Sequence, residues 1–114
     1  MATPSSKPQR FGQIVRLKQS NLAEYTRLHD NIWPEILQLI RDANIRNYTI
    51  FFKDDTLYAY FEYAGNDIEG DWKKMVDSAK MKEWWAICCP LQDPVPTRAP
   101  GEWWANMKEV WHMD

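Results

Sequence analysis

Two runs of residues near the middle of the chain, 48–53 and 57–63, restrict its fold more than any other feature, because they are apolar on both faces. Both are rich in β-branched and aromatic residues, and the short Asp54-Asp55-Thr56 segment between them makes a hairpin. With a side-chain period of two, Tyr48, Ile50 and Phe52 point one way and Phe51 the other, while Leu57, Ala59, Phe61 and Tyr63 oppose Tyr58 and Tyr60. A helix layer covers only one face of such a sheet. The second face needs another protein surface, most economically a copy of the same sheet, so the pattern predicts a homodimer.

The flanking segments complete the order. Residues 11–18 alternate as a strand, with Phe11, Gln13, Val15 and Leu17 on one side. On a helical wheel, residues 22–40 gather Leu22, Tyr25, Leu28, Ile32, Trp33, Ile36, Leu39 and Ile40 onto one face, with Ser20 or Asn21 as the cap. Residues 65–70 read as a loop, 71–78 and 79–87 as short helices, and 107–112 as a last strand. Residues 89–101 read as a proline-rich surface arm. The resulting βαββαβ order is the ferredoxin-like α+β arrangement, one antiparallel sheet with helices on one side.

The helix carries one unusual residue, because His29 falls near the centre of its apolar face, with Tyr25 and Trp33 four residues to either side. Two readings stand on the residues alone. His29 is a core histidine bonded to a neighbouring carbonyl, or it is a general acid/base lining a pocket. Pro34 favours room beside the imidazole: a proline inside a helix lacks its N–H and clashes with the carbonyl of residue 30, so the helix kinks or restarts just after His29.

Composition excludes several other chemistries. With 114 residues and a net charge of −2, the chain reads as one domain with no basic stripe for nucleic acid or an anionic membrane. No apolar run is long enough to span a bilayer, and the polar, Pro/Ser-rich residues 1–9 read as a disordered leader, which predicts a cytoplasmic protein. Cys88 and Cys89 are adjacent and read as free thiols; with His29 and His112 they show no metal-ligand spacing. None of the four glycines builds a phosphate loop. The chemistry is therefore left to side chains. Seven tryptophans are the strongest compositional anomaly, since small cores prefer aliphatics whereas sugar sites use flat indoles as platforms; Trp72 and Trp111 read as core or interface fillers.

Four strings carry a resemblance: Tyr25-Thr26-Arg27-Leu28-His29-Asp30-Asn31-Ile32-Trp33-Pro34-Glu35, then Asn47-Tyr48-Thr49-Ile50, Trp84-Trp85, and Glu109-Val110-Trp111-His112. Together they resemble the L-rhamnose mutarotase family, over residues 10–113. The resemblance implies ferredoxin-like subunits forming a dimeric α/β barrel over residues 10–114, no cofactor, and interconversion of the α and β anomers of a six-carbon deoxy sugar, a small monosaccharide. By the family pattern His29 is the proton donor, and Tyr25, Tyr48, Trp84 and Trp85 bind the sugar. The chain differs from some bacterial members in carrying Asp30-Asn31 where they have Asn-Pro, and in its Trp103-Trp104 arm. Two other classes fit the same fold: a cofactor-free monooxygenase-like barrel enzyme, and a non-catalytic sugar-binding module.

Overall fold

The computed structural model describes residues 8–114. Its strands are β1 (Gln9–Leu17), β2 (Ile45–Lys53), β3 (Thr56–Tyr63), β4 (Gln92–Asp93) and β5 (Ala105–Met107). Its helices are α1 (Leu22–Asp30), α2 (Pro34–Asp42), α3 (Ile68–Val76) and α4 (Ala79–Cys88). All pairings are antiparallel, in the order β2-β3-β1, with β4 and β5 both on β1. The expected α+β order is present, with its fourth strand in two pieces.

The hairpin forms where the residues place it. Asp54 and Asp55 have φ of 52° and 57°, the left-handed pair that a two-residue turn between twisted strands requires and that short polar side chains tolerate. Alternation then sorts the sheet. Val15, Leu17, Leu57 and Phe61 join Ile36, Met75, Met81 and Trp84 of the helices in one core. On the other face Phe51, Tyr58, Ile14 and Ala105 stand in one cross-strand row, and Phe51 is 63% exposed.

Several boundaries differ from the sequence reading. The loop expected at 65–70 is shorter, because the Asp67 side chain accepts the Gly70 N–H at 3.0 Å and starts α3 at Ile68. The last strand, expected at 107–112, ends at Met107, where its pairing with Gly12 stops. The proline-rich arm contains β4, whose Gln92 lies opposite Leu17, and buries Val95. Trp72 and Trp111 do not fill the core; both are exposed. Residues 1–7 of the expected leader lie outside the described residues, and Gln9 already pairs with Tyr63. Among the described residues no helix is long and apolar enough to cross a membrane.

Candidate active site

Pro34 divides the long apolar helix in two and so shapes the site. It occupies the first turn of α2, where its missing N–H costs nothing, and it forces the preceding Trp33 into extended backbone (φ −65°, ψ 136°). The restart just after His29 is therefore present, but Trp33 no longer continues the helical row. Tyr25 and His29, one turn apart on α1, stack with ring centroids 4.3 Å apart. Trp33 instead meets the edge of Trp84 at 5.3 Å, and Trp84 meets His29 at 5.4 Å. The α4 indole thus joins the two ends of the interrupted helix.

His29 is bonded to a neighbouring carbonyl, as the first reading of the sequence expects. Its Nδ1 lies 2.9 Å from the carbonyl oxygen of Tyr25. A carbonyl only accepts, so Nδ1 carries the hydrogen and, in the neutral ring, Nε2 carries the lone pair. Nε2 has no hydrogen-bond partner among the described residues. Burial holds the imidazole below the usual histidine range, against the smaller raising effects of the Tyr25 carbonyl and of Asp30.

Tyr48 reaches the same layer through a bulge. Asn47 and Tyr48 together oppose Phe61, because the register slips between Arg46↔Glu62 and Thr49↔Tyr60. Asn47 takes the left-handed conformation (φ 51°) and bonds Glu62 through its Nδ2 at 3.0 Å. The extra residue brings Ile45, Tyr48, Ile50 and Phe52 to one face, and the Tyr48 ring comes 5.6 Å from that of Phe61. Although 41% of Tyr48 is exposed, burial of its phenol end pushes its hydroxyl up to about 12, with the Cys88 thiol adding to the shift. Burial also raises Tyr25, and the nearby Tyr48 raises it further. Both phenols stay protonated at neutral pH. So does the Cys88 thiol, which burial pushes up to about 12.

The structure therefore brings together Tyr25, His29 and Trp84, with Tyr48 beside Tyr25. Trp85 is partly buried against the core and makes no ring contact with these residues. Two further residues join the site without a motif in the sequence to mark them. Gln92 of β4 donates from Nε2 to the Tyr25 hydroxyl at 3.0 Å, and Trp103 donates from Nε1 to Gln92 Oε1 at 2.8 Å. Their one signal in the chain is chemical, an indole N–H in a small domain that needs an acceptor. Among the described residues no cluster of three or more His, Cys, Asp or Glu could hold a metal ion, and both cysteines are free. Two surface hollows, along the outer side of α1 and beside Arg46 and Tyr48, are not lined by His29.

Residues 10–113 match the family model of L-rhamnose mutarotase. The chain belongs to the L-rhamnose mutarotase family. Two relatives in this family are the L-rhamnose mutarotase of Ligilactobacillus salivarius, 32% identical over 92% of this chain and 97% of that one, and that of Bacillus subtilis, 31% identical over 92% and 98%. The crystal structure of an L-rhamnose mutarotase from Formosa agariphila covers 93% of this chain and 99% of its own at a TM-score of 0.73 and 24% identity, which shows a shared fold. The mutarotase family resemblance carried by the four strings is thereby borne out.

Proposed function

We propose that this chain interconverts the α and β anomers of L-rhamnose, or of a closely related deoxy sugar, by acid/base ring opening without a cofactor. The observation that carries the reading is the neutral imidazole of His29, with Nδ1 spent on the Tyr25 carbonyl and Nε2 available. Nε2 takes the proton of the anomeric hydroxyl while a phenol or water supplies a hydrogen to the ring oxygen. The C1–O5 bond breaks, the aldehyde turns about C1–C2, and closure follows on its other face. During closure the O5 hydroxyl gives its hydrogen back to the phenol or water as the C1–O5 bond re-forms, and the His29 imidazolium returns its proton to the carbonyl oxygen, which is the donor role of the family pattern. Positioned groups of this kind contribute about 10²–10⁴-fold.

Tyr25 and Tyr48 supply hydroxyls for the sugar. Trp84, set at 70° to the His29 ring and only 5% exposed, backs the imidazole as an indole wall, and Trp85, turned about 100° from it on α4, flanks the sugar with its partly exposed indole. Family membership favours this reading over an oxygenase or a passive sugar-binding module. Two-dimensional exchange NMR on L-rhamnose, L-fucose, D-galactose and D-glucose tests it: the expected result is fastest anomer exchange with L-rhamnose or L-fucose, and no acceleration over buffer with any sugar overturns it.

The assembly follows from the uncovered sheet face. Phe51, Tyr58 and Met107 are 63%, 40% and 43% exposed on the side away from the helices. A second copy packing there gives a homodimeric barrel. The free thiols of Cys88 and Cys89 accord with a reducing, cytoplasmic setting.

A further inference from the structure

The hydrogen bonds linking Trp103, Gln92 and Tyr25 have a direction fixed by chemistry. An indole N–H donates and never accepts, so the group 2.8 Å from Trp103 Nε1 must be the carboxamide oxygen of Gln92. The NH₂ of Gln92 then faces Tyr25, 3.0 Å from the phenol oxygen. That oxygen is the acceptor of this bond. The phenol's own hydrogen points elsewhere, and no acceptor among the described residues takes it. Tyr25 is only 6% exposed, and a buried O–H donor without an acceptor is an incomplete arrangement.

Both ends of the relay are fastened to the sheet. Gln92 lies opposite the fully buried Leu17 of β1, and the preceding Leu91 carbonyl accepts from Asn21 Nδ2 at 3.2 Å. Trp103 stands two residues before Ala105, which pairs with Ile14 of the same strand. If the Gln92 amide turned over, Tyr25 would donate to it and present lone pairs to a ligand. The ring oxygen of a sugar carries no hydrogen, so only a donating phenol can assist its departure.

We propose that Gln92, oriented by Trp103, is the positioning residue that keeps Tyr25 a hydrogen-bond donor to a sugar oxygen beside His29. The inference rests on the mutarotase reading above and adds the residues that set the polarity of its site. The titratable groups near Tyr25 are His29, Tyr48, Cys88 and Cys89. All four remain in every variant used to test it.

Gln92→Glu replaces the NH₂ by an oxygen that accepts the Tyr25 hydrogen and withdraws it from the sugar. The expected result is a loss of about tenfold or more in kcat/KM for L-rhamnose at neutral pH. The ratio of variant to wild type should recover as the pH is lowered through the introduced carboxyl, since a protonated carboxyl donates again. Gln92→Ala should give a ratio independent of pH. A pH-independent ratio for both variants is what a merely structural Gln92 predicts, and it overturns the proposal. Trp103→Phe, at a position 43% exposed, frees the amide to turn and should also lower kcat/KM; unchanged kinetics overturn the orienting role. Geometry is read without turnover by NMR of ¹⁵N-labelled protein. Tyr25→Phe should shift the carboxamide protons of Gln92 while the Trp103 indole proton stays hydrogen-bonded, and unmoved carboxamide protons overturn the relay. A wild-type protein that accelerates no anomer exchange overturns the mutarotase reading and the role given to the relay, while the NMR shifts still decide whether the relay exists.

Discussion

The imidazole of His29 stacks on the phenol of Tyr25, and the carbonyl of that same residue fixes its Nδ1 at 2.9 Å. One residue therefore sets both the tilt of the ring and its tautomer. His29→Gln should keep an amide hydrogen for the Tyr25 carbonyl while removing the base. Anomer exchange should fall by about 10²–10⁴-fold, with the circular dichroism spectrum unchanged. Full exchange activity in this variant removes His29 from the mechanism.

The direction of the His29 shift predicts how activity and stability depend on pH. Burial keeps the ring neutral to lower pH than an ordinary histidine at about 6.5, so kcat/KM should hold through neutrality and fall with a midpoint on the acid side of that value. The folded ring binds its proton less readily than the unfolded one. Its contribution to stability is thus complete above about pH 6.5 and is lost as the pH falls through the folded pKa. Melting curves recorded from pH 8 down to pH 5 should show a steeper loss for wild type than for His29→Gln, and equal slopes contradict the assignment.

The bulge at Asn47 makes a separate forecast for Tyr48. Its φ of 51° costs a β-branched residue about 1–2 kcal/mol but suits glycine. Asn47→Val should lower the melting temperature and raise KM for the sugar by displacing Tyr48, whereas Asn47→Gly should preserve KM. If both variants bind sugar like wild type, Tyr48 is not a ligand of the site.

Sedimentation tests the outer face of the sheet. The wild-type protein should run at twice 13.6 kDa and resist dilution. Phe51→Glu places a charge at the exposed β2 end of the cross-strand row and should give monomers. A stable wild-type monomer rules out the barrel.

Substrate choice follows from the indole wall. An apolar platform beside the C5 methyl group discriminates weakly against an added hydroxyl, by about a hundredfold at most. Exchange rates for L-rhamnose and L-mannose, which differ by one hydroxyl at C6, measure this directly. A larger preference means that the pocket rejects the hydroxyl with a polar clash.

Local chemistry makes much of the fold and site legible in the residues themselves. Tyr25 and His29 meet because they are four apart on one helix, Pro34 restarts that helix, and Asp54-Asp55 turn the hairpin. Tertiary pairing is what a linear pattern conceals. Pro90 and Pro94 mask the two-residue strand at Gln92–Asp93, which exists only because β1 offers it partners at Arg16 and Leu17. The odd spacing between Ile45 and Ile50, both facing inward, is a visible sign of the bulge, yet a strict alternation of two hides it. Residues 107–112 have strand-like composition, but beyond Met107 the ladder with β1 stops and only the Glu109 side chain still reaches that strand, at Arg10.

β4 and β5 meet the same edge of β1 at two separate places, with residues 94–104 passing between them. The edge is stitched twice, with slack in the thread. Lengthening such slack costs little, about 0.6 kcal/mol for each doubling of a loop, and the register of β1 against β3 does not depend on it. The segment between the stitches can be exchanged as a cassette only where its anchors are kept: the buried Val95, Trp104 against the core, and a residue in Trp103's place that still brings an N–H to Gln92.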